Sequence, residues 1–262
     1  MPEGHTLHRL AKDHTKWFVG QKLKVSSPQA RFAEESEVLS GKKLVAAEAY
    51  GKHLVYRFGR SQIMHVHLGL YGKFRTHKLP VPEPRGAVRV RMIGDDRAFD
   101  LNGPNRCELL GKEAFESLLD RLGPDPLRKD ADAEKAWRKI SRSSSTIGAL
   151  LLNQSVIAGI GNIYRSEILY QLHIHPNRRG KEIDRKEFDD LWDLSVKWMQ
   201  IGVKYNRIIC IDPDDAPRAL GRLTAKERLQ IYKRATCSGC GSDIECWESA
   251  NRKIFACLRC QA

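Results

Sequence analysis

Four cysteines near the C-terminus constrain this chain more tightly than anything else in it. Cys237-Ser238-Gly239-Cys240 and Cys257-Leu258-Arg259-Cys260 form two knuckles with 16 residues between them. Four thiolates at this spacing suit one tetrahedral zinc ion, and four protein ligands leave no open position, so the ion would be structural. Redox chemistry would normally use one such pair; an iron–sulfur site or unrelated thiols are the alternatives. With seven cysteines, an odd number, a secreted disulfide scaffold is not indicated, and a reducing cytoplasm fits better. Cys246 is off the ligand spacing, and Cys107 and Cys210 are expected as small buried hydrophobes. Between the knuckles, Asn251-Arg252-Lys253 reads as the turn of a β-hairpin continuing into Ile254-Phe255. A basic tip on a metal-stiffened hairpin can clamp a phosphate.

Upstream, the hydrophobic period changes twice. Leu7, Leu10, Ala11, His14 and the Trp17-Phe18 pair follow helical spacing directly after the N-terminus. Residues 22–25, 43–46, 53–58, 62–68 and 87–92 are short runs, mostly alternating, several of them separated by Gly or Pro. They predict an antiparallel sandwich or barrel. A helical piece over 113–122 stops at Gly123, and Gly123-Pro124-Asp125-Pro126-Leu127 opens a linker. Helical spacing resumes from Ala133 to Ile201. The expected fold is therefore α+β: a helix plus β-sandwich over 1–122, a linker over 123–136, a helical domain over 137–222 and a cysteine module over 223–262.

The 262 residues carry 45 Lys and Arg against 32 Asp and Glu, a net +13. A polyanionic partner explains that excess directly. The charge bunches at Arg138-Lys139 with Arg142, at Arg178-Arg179-Gly180-Lys181, and at Lys233-Arg234. No apolar run approaches a membrane span, and no secretory signal pattern is present. Two further stretches bear on phosphate binding. In Thr146-Ile147-Gly148 through Ser155 one helix ends in Asn153-Gln154-Ser155, and Gly159-Ile160-Gly161-Asn162 leads into the next. Asn162 at an N-cap-like position would leave backbone amides facing an anion, as in helix-turn-helix contacts with a nucleic-acid backbone. A dinucleotide fingerprint is excluded there, because no strand precedes it and its third glycine is missing. In Tyr50-Gly51-Lys52-His53, a lysine at a strand start follows a glycine and can approach a phosphate.

The first residues offer chemistry, although a proline followed by an acid is by itself an ordinary helix start signal. Small penultimate residues let an initiator methionine be trimmed, which would leave Pro2 with a free secondary amine. Such an amine attacks an aldehyde-like carbon and forms an iminium. Glu3, one residue on, can move the protons, and a helix N-terminus nearby favours the neutral amine.

Taken together, the chain resembles the formamidopyrimidine-DNA glycosylase/endonuclease VIII family along nearly its whole length. The likeness rests on Met1-Pro2-Glu3-Gly4, Gly51-Lys52-His53-Leu54, His67-Leu68-Gly69-Leu70-Tyr71-Gly72, Gly123-Pro124-Asp125-Pro126-Leu127, Ala158-Gly159-Ile160-Gly161-Asn162-Ile163-Tyr164, and Arg252 ahead of Cys257 and Cys260. It implies a bifunctional DNA glycosylase/AP lyase of base excision repair, monomeric, acting on damaged double-stranded DNA in the bacterial cytoplasm, at the nucleoid. Pro2 would attack C1′ and Glu3 would protonate the ring oxygen. Lys52, Asn162 and Arg252 would hold the flanking phosphates, and Arg106 would also contact DNA. The implied fold adds a helix–two-turn–helix and a zinc finger held by Cys237, Cys240, Cys257 and Cys260. Because the target carbon is hidden in the duplex, the nucleotide must be flipped out and the gap filled. Leu70 and Tyr71 resemble the endonuclease VIII wedge. Asn105 and Cys107 stand where the 8-oxoguanine branch has Arg and Phe, and Thr6 stands where many members have a second Glu. Oxidised pyrimidines are the expected lesions; a purine-lesion glycosylase of the same fold and a non-catalytic DNA-binding protein are the alternatives.

Overall fold

A computed structural model of the chain describes residues 2–59 and 61–262. Met1, and with it the expected trimming, lies outside the described residues. Two compact units emerge: Leu7–Arg121 with Pro2, and Leu122–Ala262 with Glu3–Thr6.

Helix α1 (Gly4–Phe18), which belongs to the first unit from Leu7 onward, buries Leu7, Ala11, His14 and Phe18, one stripe at i+4, i+3, i+4 spacing. β1 (Lys24–Ser26) and α2 (Ala33–Leu39) follow, then β2 (Leu44–Tyr50), β3 (His53–Phe58), β4 (Gln62–His67), β5 (Lys73–Lys78), β6 (Val88–Ile93), β7 (Arg97–Asn102), β8 (Arg106–Leu110) and α3 (Lys112–Arg121). The strands form two four-stranded antiparallel sheets, β1-β6-β7-β5 and β2-β3-β4-β8. Leu54, Tyr56, Met64 and Val66 from one sheet share a core with Val90, Met92, Phe99 and Leu101 from the other, which makes a sandwich. The apolar-rich runs at 53–58 and 62–68 form β3 and β4, each buried at consecutive positions and so on both faces. Three strands and α2 have no counterpart in the sequence pattern. β5, Lys-Phe-Arg-Thr-His-Lys, is a sheet-edge strand with no buried residue, so it has no apolar alternation to read. β7 carries a buried carboxylate, Asp100, that breaks the pattern; Arg91 neutralises it through two bonds of 2.7 and 2.8 Å. β8 starts at Arg106, directly after Gly103-Pro104-Asn105, so Cys107 lies on a strand.

His14 sits fully buried in the aromatic part of this core, stacked on Phe99 at 4.6 Å and 2.6 Å from the Tyr56 hydroxyl. Burial pulls its pKa from 6.5 down to about 3. Between those values the unfolded chain binds the proton and the folded chain does not, so stability falls on acidification through that window. The slope from this one group is ~1.4 kcal/mol per pH unit. Urea unfolding at pH 7 and pH 5 should therefore show a smaller acid destabilisation for His14→Phe than for wild type. An identical pH dependence in the two proteins would rule this out.

The second unit contains α4 (Ala133–Ile140), α5 (Ile147–Leu152), α6 (Asn162–Gln171), α7 (Arg185–Tyr205), and the hairpin β9 (Glu245–Ser249) and β10 (Arg252–Ala256). Asp132, Thr146 and Asp184 cap α4, α5 and α7 through their side chains. Ile147, Leu151, Ile168, Leu169, Phe188, Leu191 and Trp198 make its core, which also takes in Ile254 of the hairpin. Arg178, one of the clustered cations, is not free for a phosphate. It is committed to the start of α7, where it donates to both Glu187 carboxylate oxygens at 2.5 and 2.9 Å. Among the described residues, no helix is long and apolar enough to cross a membrane.

Candidate active site and metal centre

The turns between α5 and α6 build a receptor for one carboxylate. Gln154 knits the turns together: its Nε2 donates to Leu152 O and Ile160 O, and its Oε1 accepts from Gly159 N at 3.0 Å. Gly4 N donates to Gly159 O at 2.9 Å, which lays the N-terminal segment along these turns. A Cβ on Gly4 would meet Gly159 Cα at 2.8 Å, so only glycine allows this approach. Glu3, fully buried, then points its carboxylate at the N-terminus of α6. Oε2 accepts from Gly161 N at 2.8 Å and Oε1 from Ile163 N at 2.9 Å, with Tyr164 N at 3.5 Å from Oε2. The helix dipole and its free N–H groups favour an anion at this point. The amides expected to face an external anion are therefore occupied by the protein's own Glu3.

Asn162 is the first helical residue rather than the cap, which is Gly161. It is buried, and its Nδ2 donates to Lys253 O at 2.8 Å. Arg252 does not occupy the hairpin turn. The turn is Ala250-Asn251, both at positive φ (53° and 57°), and Arg252 opens β10 opposite Ser249 with its side chain exposed. Two successive left-handed residues make the turn type whose twist matches the flanking strands. Asn251 tolerates this conformation well and Ala250 less so, which is why the sequence signal for the turn falls too late in the chain.

In the first unit, Lys52 lies in the two-residue turn Gly51-Lys52 that joins β2 to β3, with Gly51 at φ +57°, rather than on the strand itself. His53, His67 and Arg106 stand in register across β3, β4 and β8. Arg106 is exposed and lies 3.9 Å from Glu108. His53 Nδ1 sits 2.8 Å from His65 Nε2, and His65 Nδ1 sits 3.0 Å from Glu108 Oε1. The spacing suits a relay in which His65 Nδ1 donates to a Glu108 carboxylate oxygen and His65 Nε2 accepts from His53 Nδ1. Burial, then the neighbouring histidines and arginines, pull His53 down to about 3. His67 is lowered by burial, His65, Lys52 and Arg106. Sequence reasoning missed this cluster, although His at 65 and 67 on one strand with His53 on the next was a readable signal. Leu70 and Tyr71 project from a tight loop, 47% and 86% exposed. The loop is closed by Gly72 N donating to Leu68 O at 3.0 Å, and a Cβ on Gly69 would meet Asn105 Cβ at 2.8 Å.

Residues 1–107 match the formamidopyrimidine-DNA glycosylase N-terminal domain, and residues 122–212 match the formamidopyrimidine-DNA glycosylase H2TH domain. The chain belongs to this family of DNA glycosylases with lyase activity at abasic sites. It is 43% identical to Endonuclease 8 1 of Mycobacterium tuberculosis over the whole length of both chains. Formamidopyrimidine-DNA glycosylase of Halorhodospira halophila is 29% identical, over 100% of this chain and 98% of that one. The Lactococcus lactis glycosylase bound to DNA containing an abasic site superimposes with a TM-score of 0.81 at 25% identity, covering 99% of each chain.

As in the expected glycosylase architecture, the two cysteine knuckles come together. All four Sγ atoms lie within 4.8 Å of one another, with Cys237–Cys260 at 3.8 Å and Cys240–Cys257 at 3.4 Å. A tetrahedral thiolate site with metal–sulfur bonds of about 2.3 Å requires sulfurs about 3.8 Å apart, so the cluster fits a single metal ion. The Tyr170 hydroxyl of α6 lies 3.1 Å from Cys237 Sγ, placed to donate to a thiolate. Cys246 is exposed and outside the cluster; Cys210 is buried as expected, and Cys107 half-buried. Glu167, also on α6, accepts from the amides of Gln230, Ile231 and Tyr232 at 2.7, 3.1 and 2.7 Å, pinning the segment that enters the metal module. Burial pushes that carboxyl up to about 7 against the pull of the three donors.

Proposed function

We propose that this glycosylase excises oxidised bases from double-stranded DNA, pyrimidines foremost, and cuts the strand through a Schiff base on Pro2. The observation that carries the reading is the seat of Glu3. A carboxylate is built into the helix terminus one residue from a candidate amine nucleophile, and N–H donors surround it.

The chemistry follows from that pairing. The Pro2 nitrogen bonds to C1′ as the bond from C1′ to the damaged base breaks and the base leaves. Glu3 takes the proton from the resulting ammonium and returns it to O4′ as the C1′–O4′ bond opens, leaving the iminium. Loss of a C2′ proton expels the 3′ phosphate, and loss of a C4′ proton expels the 5′ phosphate. Arg252 at the start of β10, Lys52 at its turn and Arg106 on β8 supply cations for the phosphates around the flipped nucleotide. Asn162 serves by bracing the hairpin through Lys253 O, in keeping with its burial. Leu70 and Tyr71, exposed on a short loop, suit a wedge that fills the vacated stack. The metal is zinc, and its role is structural. A monomer working on chromosomal DNA in the cytoplasm accords with this chemistry.

Borohydride trapping tests the reading. Duplexes carrying an oxidised pyrimidine should yield a covalent complex whose peptide map places the adduct on residue 2 at a free N-terminus. No complex on any lesion, or an adduct elsewhere, overturns the mechanism. Faster trapping on 8-oxoguanine than on oxidised pyrimidines transfers the specificity to purine lesions.

A further inference from the structure

Arg165 is the anomaly of the second unit: a fully buried arginine in the middle of α6. Among the described residues, no carboxylate lies within ion-pair distance of it. Its two Nη atoms are spent on hydrogen-bond acceptors, while Nε is buried with no partner. Nη1 donates to Gly148 O at 3.1 Å and, at a longer 3.3 Å, to Ser249 O; Nη2 donates to Asn162 Oδ1 at 2.5 Å and, at 3.4 Å, to Lys253 O. Two of these acceptors define the base of the hairpin tip. Ser249 is the last residue of β9 and the cross-strand partner of Arg252; Lys253 follows Arg252 on β10. The same guanidinium orients Asn162, whose amide holds Lys253 O from its other side. Gly148, a third acceptor, touches the hairpin directly: a Cβ there would meet Ile254 Cδ1 at 3.0 Å.

We propose that Arg165 is a positioning residue for Arg252: its planar fork locks both strands at the base of the Ala250-Asn251 turn and so presents Arg252 to a DNA phosphate at a fixed height above α6. The inference rests on the reading of Arg252 as a phosphate ligand. The chemistry requires arginine, because five donors in a rigid fork can serve carbonyls on α5, β9 and β10 together, whereas a lysine ammonium is a single point. A tip held at its base loses little entropy when it meets DNA, and a loose one loses more.

Binding of the full chain to a duplex containing a tetrahydrofuran abasic analogue tests this in a double-mutant cycle. Arg165→Met and Arg252→Ala should each raise Kd about tenfold, and each should lower the salt slope by about 0.9, the release expected for one phosphate contact. In the Arg252→Ala background, Arg165→Met should change Kd less than about twofold. Arg165→Lys should fall between wild type and Arg165→Met. Amide hydrogen exchange at 249–253 should quicken at least about tenfold in Arg165→Met, while the cysteine knuckles stay protected and metal content matches that of the wild type. Additive losses in the cycle, an unchanged salt slope, or loss of metal or folding in both Arg165 variants overturns the proposal. If Arg252→Ala itself leaves Kd unaltered, the phosphate role of Arg252 fails and takes with it the link to DNA; the exchange result then decides whether Arg165 orders the tip.

Discussion

Gly161→Ala should reduce base excision by about 100-fold or more while leaving the protein folded. The backbone at Gly161 has φ −120° and ψ −163°, extended values that alanine adopts freely, so the substitution carries no conformational strain. What it meets is the carboxylate proposed to move the protons. A Cβ at this position would lie 2.6 Å from Glu3 Cγ and 2.7 Å from Oε1, so Glu3 must leave its seat on the Gly161 and Ile163 amides. A proton-transfer group moved out of reach forfeits the roughly 10²–10⁴-fold that such groups typically supply. Glu3→Gln should reproduce the loss on an intact lesion and retain part of the cutting at a pre-formed abasic site. Single-turnover rates on both substrates provide the comparison. A Gly161→Ala protein that excises at the wild-type rate would show that the seat on α6 has no part in catalysis.

Cys257→Ala, or exhaustive chelation, should release the metal and cost at least about tenfold in DNA affinity. Although Glu167, Asn162 and Arg165 tie it to α6, the cysteine module has little apolar core of its own. Its buried cluster is Ile231, Cys237 and Cys257 against Tyr170 of α6, and both cysteines belong to the proposed metal site. A core of that size cannot offset the chain entropy of ordering the module, so binding of the ion contributes its folding free energy. Losing it should unfold the knuckles and loosen the end of β10 that runs into Cys257, leaving Ile254 and the Asn162 and Arg165 bonds as the hairpin's remaining hold. Metal analysis should find about one zinc per chain in the wild type and in Cys246→Ala, because Cys246 stands outside the cluster. Retention of full DNA affinity after the ion is demonstrably gone would falsify the structural role.

Both expectations depend on contacts that differ in how far they can be read from the chain. The cysteine knuckles were legible because a metal imposes fixed spacings on its local ligands, and each Cys-x₂-Cys turn is closed within four residues. β3 was legible from His53 to Phe58 because a short run rich in apolar and aromatic residues marks a strand buried on both faces. α1 was legible in its helical period. The Pro2-Glu3 pair was legible only as chemistry: a candidate amine and an adjacent acid.

Tertiary structure decided the rest. Glu3 finds its amide donors 158 and 160 residues away, and no local pattern records a partner at that separation. An arginine in a helix reads as solvated, yet Arg165 is buried because three carbonyls from α5, β9 and β10 converge on it. Arg252 lies on the strand rather than in the turn because pairing with Ser249 sets the hairpin register, and a register belongs to two strands rather than to one. β5 exists because β7 supplies its hydrogen bonds, which depend on the backbone and leave no trace in side-chain hydrophobicity. The sequence by itself determined the cysteine spacing, the periodic elements and the candidate reactive groups, all of which rest on local spacing. The folded chain alone determined what each reactive group faces, because hydrogen bonds act over about 3 Å in space whatever the distance along the chain.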